Sequence, residues 1–207
     1  ESMNIASGLG SATTLTHADA AEMRRLENVV HVAAGLRSRT FIVASPEARI
    51  FTLVNGTEES LGDIHGWTWL EGEGFTDEDV EAGAAKVVLG RIASARLFGD
   101  GVDPTGKTVK IHDRDFEVVG MMRAVDADQD EAAFVPVTTL GALTDRTTWL
   151  QTITVGVTEA GVATSVGDAI TALLRERHAS HIKAAVARAS GSLGGLQAPG
   201  SGNGRMG

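Results

Sequence analysis

The sequence contains no cysteine, which excludes disulfide bonds and zinc sites built on thiolates. It also has no apolar run near the ~20 residues that a membrane-spanning helix needs. No basic start followed by an apolar core marks a secretion signal. We therefore expect a soluble chain, or a soluble piece cut from a larger membrane protein.

Basic residues are in deficit, because 27 acidic residues outnumber 18 lysines and arginines and leave a net charge of −9. This balance argues against nucleic acid or an anionic lipid surface as a partner, since both require basic patches. The 207 residues, of which 43% are hydrophobic, suffice for one large or two small domains with a real core. Gly- and Ser-rich composition at 7–12 and 190–207 cannot build a core.

The stretch GVDPTGKT, residues 101–108, fits the G-x-x-x-x-G-K-[ST] pattern of the phosphate-binding loop letter for letter. That pattern binds nucleotide only where a buried strand leads into it and a helix starts at its lysine. Here a helix-like segment precedes it, a β-hairpin pattern follows it, and Pro104 removes one N–H donor. We interpret the stretch as a turn over Asp103-Pro104-Thr105-Gly106, with proline second and glycine fourth.

Local patterns predict an alternation of helices and strands. A capping box formed by Thr16 and Asp19 predicts a helix over 16–26, and apolar residues at helical spacing predict another over 162–178. The segment 182–189 fits a last strand or an extension of that helix. Further predicted elements are a short helix at 91–99, a strand running into a helix at 133–144, and strands at 29–36, 39–45, 49–56, 84–90, 108–111, 115–122 and 150–157.

An ordered series of short motifs crosses the middle of the chain. Val88-Leu89-Gly90 ends a predicted strand, Leu97-Phe98-Gly99 ends a predicted helix, and the turn closes on Lys107 before Phe116–Gly120 and Val135-Pro136. The series resembles the periplasmic core domain of MacB-like ABC-transporter permeases, within the FtsX-like permease family, and the resemblance covers about residues 13–178. Two departures are Glu73, where arginine is usual, and residues 179–207, which lack a clear final strand.

The resemblance implies an α+β fold in two subdomains. A porter-like βαβ subdomain would be built from both chain ends, 1–56 and 150–190, with a mixed α/β "sabre" subdomain inserted at 57–149 and a flexible tail at 191–207. The two helical patterns, each followed by β-like sequence, fit two related βα units on one sheet. We expect segments 40–54 and 151–157 to share that sheet.

Signatures of catalysis and of metal binding are weak. No serine lies in G-x-S-x-G and no histidine begins H-E-x-x-H. Among the six scattered histidines, only His178 and His181 have ligand spacing, at what we predict to be a solvated helix end. Asp126, Asp128 and Asp130 copy the first ligands of a calcium loop.

Two other positions of that calcium loop do not fit. Glu131 replaces the glycine of the turn and Val137 replaces the bidentate glutamate, so we predict a solvated loop. We accordingly assign no catalytic, cofactor-binding or metal-binding residue.

Six acidic residues and no basic residue lie between Glu71 and Glu81. We predict a solvated helix start with Thr76 as N-cap and Asp79 completing a capping box; an acidic docking patch for a basic partner is the alternative. Trp67 and Trp69 alternate, so one is expected to face the core. The other would be a binding anchor if it is exposed beside the acids.

The resemblance implies a non-enzymatic extracytoplasmic domain of an ABC-transporter permease. ATP would be hydrolysed by a separate cytoplasmic domain or subunit, acting through transmembrane helices that continue from both chain ends. The domain would transmit that motion to a substrate or to a partner such as a periplasmic adaptor, in efflux, export or an envelope process. Its place would be the periplasmic or extracellular side of the cell (inner) membrane.

The resemblance also bears on oligomeric state, and one other class of function remains open. The parent permease would be dimeric, whereas the isolated domain is expected to be monomeric or weakly associated. The leading alternative is a stand-alone extracytoplasmic module that binds a lipid or peptide, which an exposed apolar groove between the subdomains would favour. A hydrolase ranks third.

Overall fold

The computed structural model describes residues 2–6, 15–146 and 149–193, with side chains described for 15–146 and 149–179. Within these residues the chain is a mixture of strands and helices, and the predicted α+β class is confirmed. The strands are β1 (Ser2–Ala6), β2 (Leu15–Thr16), β3 (Val29–Val43), β4 (Arg49–Thr57), β5 (Thr68–Gly72), β6 (Lys86–Gly90), β7 (Thr108–Ile111), β8 (Arg114–Arg123), β9 (Ala133–Pro136), β10 (Trp149–Leu150) and β11 (Thr152–Val157).

Helices lie between most of these strands, as the alternating sequence patterns predicted. They are α1 (His17–Met23), α2 (Leu61–His65), α3 (Asp77–Ala82), α4 (Arg91–Phe98), α5 (Ala127–Asp130), α6 (Val137–Leu143) and α7 (Ala163–Leu193). Helix α7 includes segment 182–189, so the helical alternative holds there. The flexible tail was predicted to begin at 191, but residues 191–193 still belong to α7; from residue 194 onward the tail lies outside the described residues.

Nine strands form one sheet in the order β1-β11-β3-β4-β9-β6-β8-β5, with β7 pairing both β3 and β8. Strands β2 and β10 pair separately. Because β7 contacts two strands, β3, β4, β9, β6, β8 and β7 form a closed ring of pairings. The closure joins Ile42 to Ile111, both fully buried, and no local sequence pattern predicted it.

Strand β3 is the longest strand, at 15 residues, and it has different neighbours along its length. Its first half pairs with β11, where Ala34 lies opposite Ile153, and its second half pairs with β4, where Phe41 lies opposite Phe51. The two strands predicted at 29–36 and 39–45 are therefore one. Segments 40–54 and 151–157 share the sheet, and β9 continues it from β4 into the middle of the chain. The division into porter-like and sabre-like subdomains stays a prediction.

Helix α1 begins as its sequence predicted. The Thr16 hydroxyl accepts a hydrogen bond from the Asp19 N–H at 3.2 Å, and the Asp19 carboxylate accepts one from the Thr16 N–H at 2.9 Å. The helix ends at Met23, three residues before the predicted end at 26. Asn28 follows with φ of 65°, and this left-handed residue turns the chain into β3.

Large apolar side chains from the sheet and from α6 fill the core. The largest fully buried ones include Phe116, Phe134, Leu36, Ile42, Leu89 and Leu140. Each contributes about 1.5–3 kcal/mol by leaving water. The chain divides into two compact units, 1–168 and 169–207, and these core residues all belong to the first. In the part of the chain that the structure describes, no helix is long and apolar enough to cross a membrane.

Candidate functional site

The stretch at 101–108 is a turn, and the N–H groups of residues 105–107 already donate hydrogen bonds within the protein. The Lys107 N–H donates to the Pro104 carbonyl at 3.1 Å, the Gly106 N–H to the Val118 carbonyl at 2.8 Å, and the Thr105 N–H to the Asp103 carboxylate at 2.9 Å. Residue 108 begins β7 rather than a helix. A phosphate group would therefore find neither free amide donors from these three residues nor a helix N-terminus there.

The turn is confirmed, but it starts one residue later than predicted, at Pro104. The Asp103 carboxylate also accepts from the Thr105 hydroxyl at 2.6 Å, and these hydrogen bonds lower the pKa of Asp103. Asp103 thus orders the residues that enter the turn, and the Pro104 carbonyl accepts the hydrogen bond that closes the turn. This register puts Gly106, with φ of 77°, at the third turn position, where positive φ is required.

The acidic segment starts helix α3 as predicted. Thr76 and Asp79 form the capping box, with the Asp79 carboxylate accepting from the Thr76 N–H at 2.9 Å. Asp79 also lies 2.9 Å from the ammonium group of Lys86. The Lys86 contact first, and the Thr76 N–H second, lower the pKa of Asp79.

The two tryptophans divide as expected between a packed and an exposed position. Trp67 is half-buried, its indole N–H donates to the Gln129 side chain at 2.7 Å, and its ring centroid lies 4.5 Å from that of Phe134. Trp69 is 40% exposed and meets Trp67 edge-on at 6.1 Å between centroids. The exposed ring is held by a packed one, which fixes its orientation.

The three aspartates that resemble a calcium loop do not converge. Asp126 caps α5 by accepting from the Asp128 N–H at 2.9 Å, whereas the Asp130 carboxylate accepts from the Ala124 N–H at 2.8 Å. The predicted solvated loop is wrong for Asp130, which is only 5% exposed, because the turn of α5 carries its side chain inward. The Arg91 guanidinium lies 3.4 Å from it and balances the buried charge.

Metal-ligating side chains form no cluster in the ranges for which side chains are described. There, no three or more His, Cys, Asp or Glu side chains have an arrangement that holds a metal ion. Of the pair His178 and His181, the side chain of residue 181 lies outside the described residues.

A cavity of about 380 Å³ lies between strands β3 and β4, helix α2 and the loop before α5. Leu36, Leu53 and Phe134 line its apolar part, and His65 lies on its wall. Burial lowers the pKa of His65, although the Asp126 carboxylate acts in the opposite direction. Val125 lies at the rim and is 96% exposed, which is unusual for a large apolar side chain.

The outward side of the β3–β4 hairpin continues from this cavity and carries a set of side chains that the sequence interpretation missed. We call this set the hairpin face; it consists of Arg37, Arg39, Phe41, Arg49, Phe51 and Leu53. The cross-strand register places Arg39 beside Leu53 and Phe41 beside Phe51. The sequence does indicate this face, because arginines and phenylalanines alternate with other residues in RSRTF and RIFTL, and residues two apart on a strand share a face.

A second, acidic cleft of about 570 Å³ lies elsewhere on the first unit. Asp77 and Glu81 of α3 line it together with Glu58, Glu59 and Asp63. Glu58 is paired with Arg24, and its carboxylate also accepts from the Ala34 N–H at 3.2 Å. The predicted acidic docking patch therefore has a concave surface available to it, and it stays a prediction.

Comparison with known proteins identifies a family from the sequence and shows the same fold in solved structures. The family model described as MacB-like periplasmic core domain matches residues 2–173. The macrolide export ATP-binding/permease protein MacB of Chlorobaculum tepidum is 29% identical over 175 residues, which cover 83% of this chain and 27% of that protein. The chain thus spans about a quarter of the length of such relatives.

Two solved structures share the fold. The periplasmic region of MacB from Actinobacillus actinomycetemcomitans superimposes with a TM-score of 0.75 at 24% identity, over 86% of this chain and 84% of that one. The extracellular domain of the noncanonic ABC-type transporter YknZ from Gram-positive bacteria gives 0.70 at 20% identity, over 86% and 93%.

Proposed function

The chain belongs to the family of MacB-like periplasmic core domains, and on that premise we propose that it carries motion between the membrane part of an ABC-transporter permease and a substrate or partner outside the cytoplasm. Its place would be the periplasmic side of the inner membrane. A relative that includes such a domain is named as an ATP-binding/permease protein, which supports an ATPase as the source of the motion.

Strand β3 is the observation that carries this proposal. Its first half pairs with β11, the strand that precedes helix α7, and its second half forms the hairpin with β4. The ring of pairings closed by β7 holds the far end of the strand in place. A displacement applied at β11 would therefore move the hairpin as part of one rigid body rather than bend an intervening loop.

We propose further that the domain performs no chemistry of its own. The lysine of the 101–108 turn lies beside amides that are already hydrogen-bonded, so nucleotide would be bound elsewhere in the permease. The parent would act as a dimer, with a periplasmic adaptor or another envelope protein as its partner. The isolated domain would be monomeric or weakly associated.

Distances between spin labels test the transmission of motion. The domain has no cysteine, so Glu47→Cys at the hairpin turn gives one label per protomer in a full-length permease cleared of its other cysteines. The distance between the two protomers' labels should differ between nucleotide-free and ATP-bound protein. A second pair within one domain, Glu47→Cys with Asp100→Cys, should not change. An inter-protomer distance that is the same in both states refutes the transmission of motion.

The cavity favours a second candidate, a module that binds a lipid or peptide. Its volume of about 380 Å³ falls in the range of small-molecule sites, and its lining mixes apolar side chains with His65 and Gln129. Titration of the isolated domain with a lysophospholipid and with apolar tripeptides, followed by amide shifts at Leu61 and Leu36, tests it. Saturable binding together with unchanged spin-label distances would favour this candidate.

A further inference from the structure

We propose that the hairpin face, together with the cavity at its inner end, is a docking surface for a partner protein segment that carries carboxylates around apolar side chains. The proposal rests on the proposed function, because it names the place where a domain that transmits motion would touch its partner. It commits to a protein segment, and a lipid surface or a second copy of the chain are outcomes of the test.

Exposed aromatic rings are the first observation. Phe41 is 48% exposed and Phe51 is 58% exposed, although the two rings pack against each other with centroids 5.1 Å apart. The Arg49 guanidinium lies 5.2 Å from the centre of the Phe41 ring. Aromatic and arginine side chains held in fixed positions are the residues that contribute most to protein interfaces.

Unpaired positive charge is the second observation. Arg37, Arg39 and Arg49 lie on the same side of the hairpin, and none of them forms an ion pair with a carboxylate among the residues whose side chains are described. Four other arginines of the described residues are paired with carboxylates, namely Arg24, Arg25, Arg91 and Arg96. A cluster of free cations on a chain with net charge −9 marks a surface that is complementary to carboxylates.

Continuity with the cavity supplies the third observation. Arg37 and Leu53 belong to the hairpin face and also line the cavity, so the two surfaces share these residues. Val125 extends the apolar surface at the rim. A partner segment lying along the hairpin would place carboxylates near the arginines and one apolar side chain in the cavity, as anchor residues do at interfaces.

Geometry disfavours a membrane surface as the occupant. Ser2 of β1 lies opposite Gly156 of β11, and Gly156 lies opposite His31 of β3. The stretch of β3 from His31 to Phe41 spans roughly 33 Å at the usual rise per residue. If the membrane helix of the proposed permease joins the chain at β1, Phe41 and Phe51 lie far from the bilayer.

A second copy of the chain is disfavoured by charge. A symmetric dimer through the hairpin face would place the same surface of both copies in contact. Arg37, Arg39 and Arg49 of one copy would then face the same arginines of the other. Like charges brought together in this way oppose association.

Synthetic peptides test the chemistry of the partner with the isolated domain, whose core lies within one compact unit. The probe is a short extended peptide alternating glutamate with phenylalanine and leucine. Its controls carry lysine in place of glutamate, or glycine in place of the apolar residues. We expect the first peptide alone to shift the amides of 37–55 and of Val125 in a saturable way.

Variants of the domain locate the binding. Arg39→Glu and the double change Phe41→Ser with Phe51→Ser should each weaken the acidic peptide by about tenfold or more, as changes at interface anchors do. Arg123→Glu is the matched control, because Arg123 is also exposed on a strand and is not ion-paired among the described residues. This substitution should change the affinity for the acidic peptide by less than about twofold. Unchanged melting temperatures would show that the variants remain folded.

Three results would overturn the proposal. They are equal binding of the glutamate and lysine peptides, loss of binding in Arg123→Glu as large as in Arg39→Glu, and amide shifts confined to the acidic cleft. Flotation with phosphatidylglycerol vesicles that depends on Phe41 would assign the face to lipid, and a dimer in sedimentation that Phe41→Ser dissociates would assign it to a second copy. Failure of the spin-label experiment would leave the peptide result intact, so the two proposals fail separately.

Discussion

Gly90 and Asp130 are in such close contact that a Cβ atom at position 90 would lie 2.3 Å from the Asp130 carbonyl oxygen. The Gly90 N–H donates to the Ala132 carbonyl at 2.9 Å, which fixes the end of β6 against the strand and turn that follow α5. This contact gives a physical reason for the glycine of the Val88-Leu89-Gly90 motif. Arg91, the next residue, lies 3.4 Å from the Asp130 carboxylate, so the ion pair and the backbone contact are at the same place.

Gly90→Ala should therefore destabilise the domain. The added methyl group meets backbone atoms, which cannot move aside, so we expect a loss of about 3 kcal/mol in the free energy of unfolding. Urea denaturation followed by circular dichroism measures it. Gly161→Ala is the control, because no atom of the described residues lies within 4 Å of a Cβ there, and its effect should stay within about 0.5 kcal/mol. Similar urea midpoints for the two variants would show that the backbone around Asp130 moves to accept a Cβ atom at position 90.

Substitutions at Lys107 and Gly106 distinguish a turn from a nucleotide-binding loop, because the two kinds of structure respond differently to them. Lys107→Ala should change stability by no more than about 0.5 kcal/mol, since the side chain is exposed and its ammonium group only approaches the Phe98 ring, at 5.8 Å. Gly106→Val should cost roughly 1–2 kcal/mol, because the residue has φ of 77°. Calorimetry decides the chemistry: saturable Mg-ATP binding that Lys107→Ala abolishes would contradict the turn.

Ser94 of α4 offers a stabilising change. Its side chain is 1% exposed, and its hydroxyl has no hydrogen-bond partner among the described residues. Ser94→Ala removes this unsatisfied group and favours the helix, so stability should rise by about 1 kcal/mol. In the matched control, Ser60→Ala removes a hydroxyl that donates to the Val32 carbonyl at 3.1 Å, and stability should fall. A loss of stability in Ser94→Ala would reveal a partner for the hydroxyl.

His65 should titrate below its ordinary pKa of 6.5, because burial in the cavity wall disfavours its charged form. A folded-state pKa below the unfolded one means that the unfolded chain binds the proton more readily. The stability contributed by neutral His65 is thus complete above pH 6.5 and is lost as the pH falls through the folded-state pKa. NMR titration of the imidazole measures the shift, and His65→Gln should remove this dependence.

Asp126 provides an independent check on that assignment. Its carboxylate raises the pKa of His65 against the larger effect of burial. Asp126→Asn should therefore lower the pKa of His65 further. A rise on this substitution would mean that the charge of Asp126 is not the one acting on the imidazole.

The pair of Asp79 and Lys86 predicts a second pH dependence, in acid. The pKa of Asp79 is lowered from 3.8, so the stability it contributes is present above that value and is lost as the pH falls through the folded-state pKa. Asp79→Asn should flatten the stability profile below about pH 4, at a cost of roughly 0.5 kcal/mol at neutral pH, because the lysine of the pair is partly exposed. Denaturation at a series of pH values compares the two proteins. If the free energy of unfolding of Asp79→Asn falls with pH in acid as steeply as that of the unchanged protein, Asp79 is not responsible for the pH dependence.

Features that depend on residues close in sequence were predictable. The capping boxes at Thr16 and Thr76 formed as expected, because a short polar side chain three residues before a carboxylate satisfies amides that no other group reaches. The β7–β8 hairpin also formed, with His112 and Asp113 at positive φ in its turn. The series of motifs indicated the family, which the family model then confirmed.

Features that depend on distant residues were not predictable from the patterns. Asp130 is buried beside Arg91, which is 39 residues away in sequence, and an acidic run gives no sign of which carboxylate will turn inward. The closing of the ring by Ile42 and Ile111 depends on the twist of strands far apart in the chain. The hairpin face was visible as an alternation, but only the structure shows that none of the described residues covers its outward side.

The different neighbours of β3 also have a consequence for the order of folding. Phe41 and Phe51 are close in sequence, so the hairpin can form as soon as both strands have been synthesised. Ala34 and Ile153 are separated by most of the domain, and their pairing must wait until the intervening chain has folded and its loop-closure entropy is overcome. Strand β11 should therefore be the last to dock in refolding, and hydrogen-exchange labelling during refolding should protect residues 36–55 well before 152–157.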